Sequence, residues 1–502
     1  MINNPLIKKL KKSSFVKKIS ASTKAKDLLN NSLWSIFGAL FSKGLLFITW
    51  IVVARVLGSE GYGQFGIVRS TVLMFVSFAG FSLGVTASKH VAEFINFDKQ
   101  KTERILGLTM TFGLLMGVAV GIIFYILAPW LAINTLNSKE IIPELQIGAI
   151  ILFFSSLNGA QIGALQGFMA FKTIAKINIS QSLISIPLFI LGAIYLGVYG
   201  TVWAFAISYI LICFLSYFAI RRVCKKYNLR INYGKVWEER QILFNYSLPA
   251  FLGGLMVTPV KWYTDSLLVS QSGFREMGIF TAVMTFNGIL LMSANMVSAP
   301  FTSIMARNKD ESRDSKFNRF NILAPWVMGI FFTTPLLFFP EVGSYIFGES
   351  FDKQTLSITL IFILLFSSIL MFKQGLDRLI AVHDLQWLGF FSNLIWAVVL
   401  ILTFYLNDNK NSISLSYSYF LAYFISTLFI IPICFKKNII PKNTFESKQG
   451  ILIWILFGGF PFIHMLIENL FVKLFIMLSS LTIMVILFNY LFKNKPKKSN
   501  LG

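Results

Sequence analysis

The stretch NSLWSIFGALFSKGLLFITWIVVARVLGSEGYGQFGIVRSTVLMFVSFAGFSLGVT, residues 31–86, is two long apolar runs joined by a short turn rich in glycine. Each run exceeds the ~20 residues that an α-helix needs to cross a ~30 Å hydrocarbon core at 1.5 Å per residue. The pattern recurs down the chain. Runs at roughly 31–56, 63–86, 105–128, 145–168, 174–197, 199–220, 242–271, 277–304, 321–347, 355–374, 386–407, 413–435, 449–467 and 470–491 give about fourteen spans. With 55% hydrophobic residues and a mean hydropathy of +0.69, the chain is expected to be an all-α polytopic membrane protein.

Charge gives the orientation. Placing the N-terminus inside puts 36 of the 45 Lys and Arg residues on the inner side, counting Lys373 and Arg378 to the connection that follows span 10. Only Lys139, Arg275, Lys353, Lys410 and Lys473 fall outside. That split predicts cytoplasmic termini in a cytoplasmic membrane. It also accounts for the net charge of +23 through anionic headgroups, without nucleic acid. The first 30 residues are polar and basic and do not read as a signal peptide. Cys213, Cys224 and Cys434 have no metal spacing and are expected as free thiols, and His90, His383 and His464 form no cluster.

A weak repeat divides the chain. At an offset of 215 residues, Ser32, Leu33, Gly38, Leu40, Thr49, Gly58, Gly63, Phe65 and Val68 match Ser247, Leu248, Gly253, Leu255, Thr264, Gly273, Gly278, Phe280 and Val283. Spans 1 and 7 run the same way, so the repeat is parallel about an axis along the membrane normal. The organisation read from this is a basic tail (1–30), an N-lobe of helices 1–6 (31–241), a C-lobe of helices 7–12 (242–440), and helices 13–14 with a basic tail (441–502).

A charge at mid-bilayer costs roughly 2.5–3.5 kcal/mol or more, so charges inside spans are informative. Lys43 lies near the middle of span 1, Arg69 in span 2, and Lys261 and Asp265 at i,i+4 spacing in span 7. Arg55 ends span 1. If spans 1, 2 and 7 line one cavity, it attracts anions. Two plainer readings stand beside this: Arg69 snorkels to the outer interface, and Lys261–Asp265 is only a neutralising pair. Pro249, Gly253, Gly254 and Pro259 mark where span 7 can bend. Tyr62, Phe65, Tyr199 and Trp203 read as an outer aromatic belt or as sugar-stacking rings. No metal or cofactor site is expected.

The string Ala54-Arg55-Val56-Leu57-Gly58-Ser59-Glu60-Gly61-Tyr62-Gly63-Gln64-Phe65 resembles the turn after helix 1 of Wzx-type polysaccharide flippases, members of the multidrug/oligosaccharidyl-lipid/polysaccharide exporter superfamily. Asn31 to Trp34, Asp265, Gly278 to Ala282 and Pro300 are similar too. Helices 13 and 14 depart from the common twelve-helix plan and equal in number the fourteen of lipid II flippases. The resemblance implies movement of a polyprenyl-pyrophosphate-linked oligosaccharide to the outer leaflet, for a surface polysaccharide such as O-antigen. Lys43, Arg69, Lys261 and Arg55 would hold the pyrophosphate. Asp265 would carry a coupling H⁺ or Na⁺. Membrane lipid, a polysaccharide polymerase and glycosyltransferases would be partners. The competing expectations are a multidrug/cation antiporter of the same fold and a membrane glycosyltransferase or polymerase. The antiporter wants an acidic cavity, and the enzymes want a large external loop or a catalytic cluster.

Overall fold

The computed structural model describes residues 23–248, 251, 256–307, 316–383, 385–441, 444–445, 447–467 and 469–493. Within them the chain is helical, with no strand. The helices are α1 (Thr23–Gly80), α2 (Leu83–Phe94), α3 (Lys99–Trp130), α4 (Ile142–Gly167), α5 (Phe171–Tyr227), α6 (Val257–Arg307), α7 (Lys316–Phe338), α8 (Val342–Phe347), α9 (Lys353–Val382), α10 (Gln386–Tyr405), α11 (Ser412–Lys436), α12 (Lys448–Leu466) and α13 (Leu470–Lys493). Nine helices among the described residues are long and apolar enough to cross a membrane. The protein is thus an all-α polytopic membrane bundle, and the number fourteen rests on the sequence.

Three helices are broken at a glycine: α1 at Gly58 (φ 69°, ψ 178°), α5 at Gly197 (φ 59°, ψ −135°) and α6 at Gly273 (φ 81°, ψ −178°). Each break falls where the hydropathy reading ends one span and starts the next. Residues with a Cβ avoid such φ values, so glycine is what allows these sharp reversals. Gly58 and Gly273 are repeat mates at the 215-residue offset, and their backbones have nearly the same geometry.

Packing follows two groups. Helices α1 to α5 pack on one another, as do α6, α7, α9, α10 and α11, and the main bridge between the groups is α1 against α6. Helices α12 and α13 dock on α7. The first of these contacts is aromatic, with Trp326 and Trp454 edge to face at 4.7 Å, and the second brings Phe488 against Phe320 at 6.3 Å.

The bridge is tightest at the end that the loop charges place outside. A Cβ built on Gly63 would lie 1.8 Å from the Phe274 carbonyl oxygen, and one on Gly278 would lie 1.8 Å from that of Ser59. Ser59 and Phe274 are themselves related by the 215-residue offset, so the contact is reciprocal. Two backbones can approach this closely only because both positions lack a side chain.

Several expectations are corrected. Lys373 and Arg378 do not lie in a loop: α9 continues to Val382, and both side chains are buried. Tyr62 and Phe65 are fully buried and form no interfacial belt. Phe65 stacks on Trp50 at 5.4 Å, inside the first group of helices. Tyr199 is exposed. Cys213, Cys224 and Cys434 are free thiols, as expected, and buried. Pro249, Gly253 and Gly254 lie outside the described residues, as does most of each terminal tail.

Candidate functional site

A cavity of about 530 Å³ opens where α1 meets α6. Lys43, Trp50, Arg69 and Ser70 of α1 line one side; Lys261, Asp265, Thr281 and Thr285 of α6 line the other; Tyr419 of α11 closes it. Three of the four cations singled out in the sequence, Lys43, Arg69 and Lys261, and the one carboxylate therefore border the same space. Three helical spans deliver them because α1 and α6 each reverse at a glycine and run back along the cavity.

Each charge has its own surroundings. Arg69 lies over the Trp50 ring at 4.9 Å, a cation–π contact that orients the guanidinium. Trp50 is fixed in turn by Phe189, edge to face at 4.8 Å. Lys43 is exposed, and a Cβ built on its neighbour Gly44 meets nothing within 4 Å. Lys261 and Asp265 share a helix face but make no ion pair within 4 Å among the described residues. Asp265 instead accepts a hydrogen bond from the Ser70 hydroxyl of α1, at 2.6 Å. Its second oxygen, Oδ1, is buried with no partner among the described residues. A second bond between α6 and α1 runs from Trp262 Nε1 to Thr71 Oγ1 at 3.0 Å.

Arg55 stands elsewhere. Its Nε donates to the Ile346 carbonyl at 2.7 Å and its Nη2 to that of Tyr345, and it lines a separate outer pocket with Ser350, Asp352 and Lys353.

Sequence reasoning missed a second charged cluster. On α9, Lys373 sits over the Tyr423 ring at 5.3 Å, with Asp377 one turn further on. Arg378 Nε donates to Asn321 Oδ1 at 2.7 Å and its Nη2 to the Asn321 carbonyl at 3.2 Å, while Asn321 Nδ2 donates to the Gly375 carbonyl at 2.9 Å. The bonds tie α7 to α9. One signal was available: Lys-x-x-x-Asp occurs at 261–265 and again at 373–377. Ser70 and Tyr419 carried no such signal.

A helical bundle with a charged cavity between two groups of spans is also found among solved structures. The chain spans 92% of its own length and 98% of that of lipid II flippase MurJ in an inward closed conformation, at 17% identity and a TM-score of 0.68. An inward-facing multidrug resistance MATE transporter of the MOP superfamily gives 15% identity and 0.65, covering 81% of this chain and 99% of that one. A Pyrococcus furiosus transporter of that superfamily, described as having a binding pocket of reverse polarity, gives 15% and 0.54, covering 82% and 96%. The chain therefore shares its fold with these transporters. By sequence the chain belongs to the polysaccharide biosynthesis protein family, which residues 52–354 match. Stage V sporulation protein B of Bacillus subtilis is 24% identical over 258 residues, 49% of each chain, so the match spans about half the length of that relative. An uncharacterized membrane protein of Methanocaldococcus jannaschii is 22% identical over 341 residues, 65% of this chain and 79% of that one.

Proposed function

We propose that this protein is a flippase that moves a polyprenyl-pyrophosphate-linked oligosaccharide from the inner to the outer leaflet of the cytoplasmic membrane. The observation that carries the reading is the convergence of Lys43, Arg69 and Lys261 on one cavity that holds a single carboxylate. A pyrophosphate cannot cross hydrocarbon unaided, and Lys and Arg pair with phosphate oxygens. Bound anion would in turn offset the cost of keeping three cations at membrane depth. The lobes rock between inward-open and outward-open states about the α1–α6 bridge, and the polyprenyl tail stays in lipid. Polysaccharide polymerase and glycosyltransferases are the natural partners. A cationic drug would meet like charge here, which speaks against the antiporter reading.

Asp265 links cargo to an ion in this scheme. Its bond to Ser70 spans the lobes, so opening the bundle frees the carboxylate to take up H⁺ or Na⁺.

The test uses purified protein in vesicles loaded with a polyprenyl-pyrophosphate-linked glycan. Lys43→Gln with Lys261→Gln should lower flipping at least tenfold while leaving membrane insertion intact. Flipping by the double variant at the wild-type rate would remove the cationic-cavity reading.

A further inference from the structure

We propose that Arg55 and Ser59 form an outer latch, which fastens the N-lobe to the Val342–Lys353 segment of the C-lobe and must release before the cavity can open outward. The inference rests on the alternating-access part of the reading above and is independent of what the cargo is.

Three contacts converge at one corner of the outer surface. The Arg55 guanidinium donates to the carbonyls of Tyr345 and Ile346, at 2.7 Å for the latter. Those carbonyls belong to the last turn of α8, where a helix leaves acceptors without intrahelical donors. Ser59 Oγ donates to the Ser350 carbonyl at 2.8 Å. The Arg55 side chain passes Gly348, where a Cβ would lie 3.7 Å from Arg55 Cγ. Arg55 is thus engaged away from the cavity, by groups of the opposite lobe.

The neighbouring seam explains why a latch is needed. The Gly63–Phe274 and Gly278–Ser59 approaches are close backbone contacts. They shape the closed state, but such contacts are individually weak and part easily. A charge-assisted hydrogen bond is roughly twice as strong as a neutral one. The latch is also one-sided. The repeat mate of Arg55 is Ser270, whose hydroxyl turns back to the Leu267 carbonyl of its own helix at 3.1 Å. At the mate corner, where Leu131–Thr135 meets α6, no charge-assisted bond is found among the described residues, so the bonded restraint lies at one corner.

The experiment reads gate position without cargo. In a chain with Cys213, Cys224 and Cys434 replaced by serine, Thr285→Cys places a thiol on the cavity wall. A membrane-impermeant maleimide is applied from outside, and separately to inside-out vesicles. Arg55→Gln should raise outside labelling by about fivefold or more and lower inside labelling, the range expected when a coupling contact is lost. Arg55→Lys should fall between, because a point charge does not reproduce the two-pronged bond. Ser59→Ala gives a second reading if Arg55→Gln does not fold, with a smaller shift in the same direction. Outside labelling at the wild-type rate in the folded variants overturns the latch, as does an equal rise from both sides. The cargo reading fails separately, if Lys43→Gln with Lys261→Gln flips normally.

Discussion

Gly63 and Gly278 show how much a single missing side chain decides. A methyl group at either one would strike a backbone carbonyl of the opposite lobe at 1.8 Å. Gly63→Ala and Gly278→Ala should each hold the outer end apart, raising outside labelling of Thr285→Cys; unchanged labelling would mean that the helices slide past the added carbon. Asp352 offers a test outside the membrane. It caps α9, accepting from the Thr355 N–H at 2.8 Å, and the bonds from Thr355 hold its carboxyl below the usual range. Because the folded value is depressed, the contribution to stability is present above the ordinary Asp value near 3.9 and fades as pH falls through the lower folded one. Asp352→Asn, itself a good cap, should leave stability at pH 7 nearly unchanged and flatten that acid limb, whereas Asp352→Ala should cost about 1 kcal/mol in a detergent melt. At this scale the sequence was informative where residue type is costly. Lys43, Arg69 and Lys261 stood out because charge inside an apolar run is expensive. Ser70 did not, because a serine inside an apolar helix ordinarily bonds to its own backbone, and only the fold brings Asp265 opposite it.

Among the helices, α9 is the element whose reading changed most. Its apolar window ends near residue 374, yet the helix runs to Val382. Burial against α7 and α11 is supplied by partners distant in sequence, and no local pattern announces them. Asn321 is the clearest of these partners, since it accepts from Arg378 and donates to Gly375. Asn321→Ala should therefore destabilise the C-lobe by about 2 kcal/mol, the usual worth of a hydrogen bond to a charged group, and lower the melting temperature of purified protein. A melt equal to wild type would assign the cohesion of α7 and α9 to their apolar contacts alone. The breaks in α1 and α6 were legible for the opposite reason. A glycine recurring at a fixed offset within matching apolar runs marks a backbone need rather than a packing choice, and Gly58 and Gly273 meet it in nearly the same way.

For the whole molecule, the charge split predicts that a reporter fused after Leu491 is active only in a cytoplasmic format; activity of a periplasmic reporter there would require an odd number of crossings. Coupling can be tested separately. Asp265→Asn should flip cargo without responding to an imposed H⁺ or Na⁺ gradient, and an unaltered gradient response would leave Asp265 as a tether to Ser70. The plan of the bundle was readable because bilayer thickness dictates span length. The cavity was only half readable, since charge cost says that a cation needs company without saying which helix provides it. The outer seam carries a further meaning. Gly63 meets Phe274 as Gly278 meets Ser59, so one patch faces a copy of itself across a two-fold axis, the rule of an isologous homodimer contact. In those terms the α1 and α6 seams meet as the matching faces of such a dimer would. One place where the two repeats differ is Arg55, whose mate is Ser270. A symmetric pair of identical subunits would carry two such arginines or none, whereas a single chain is free to carry one.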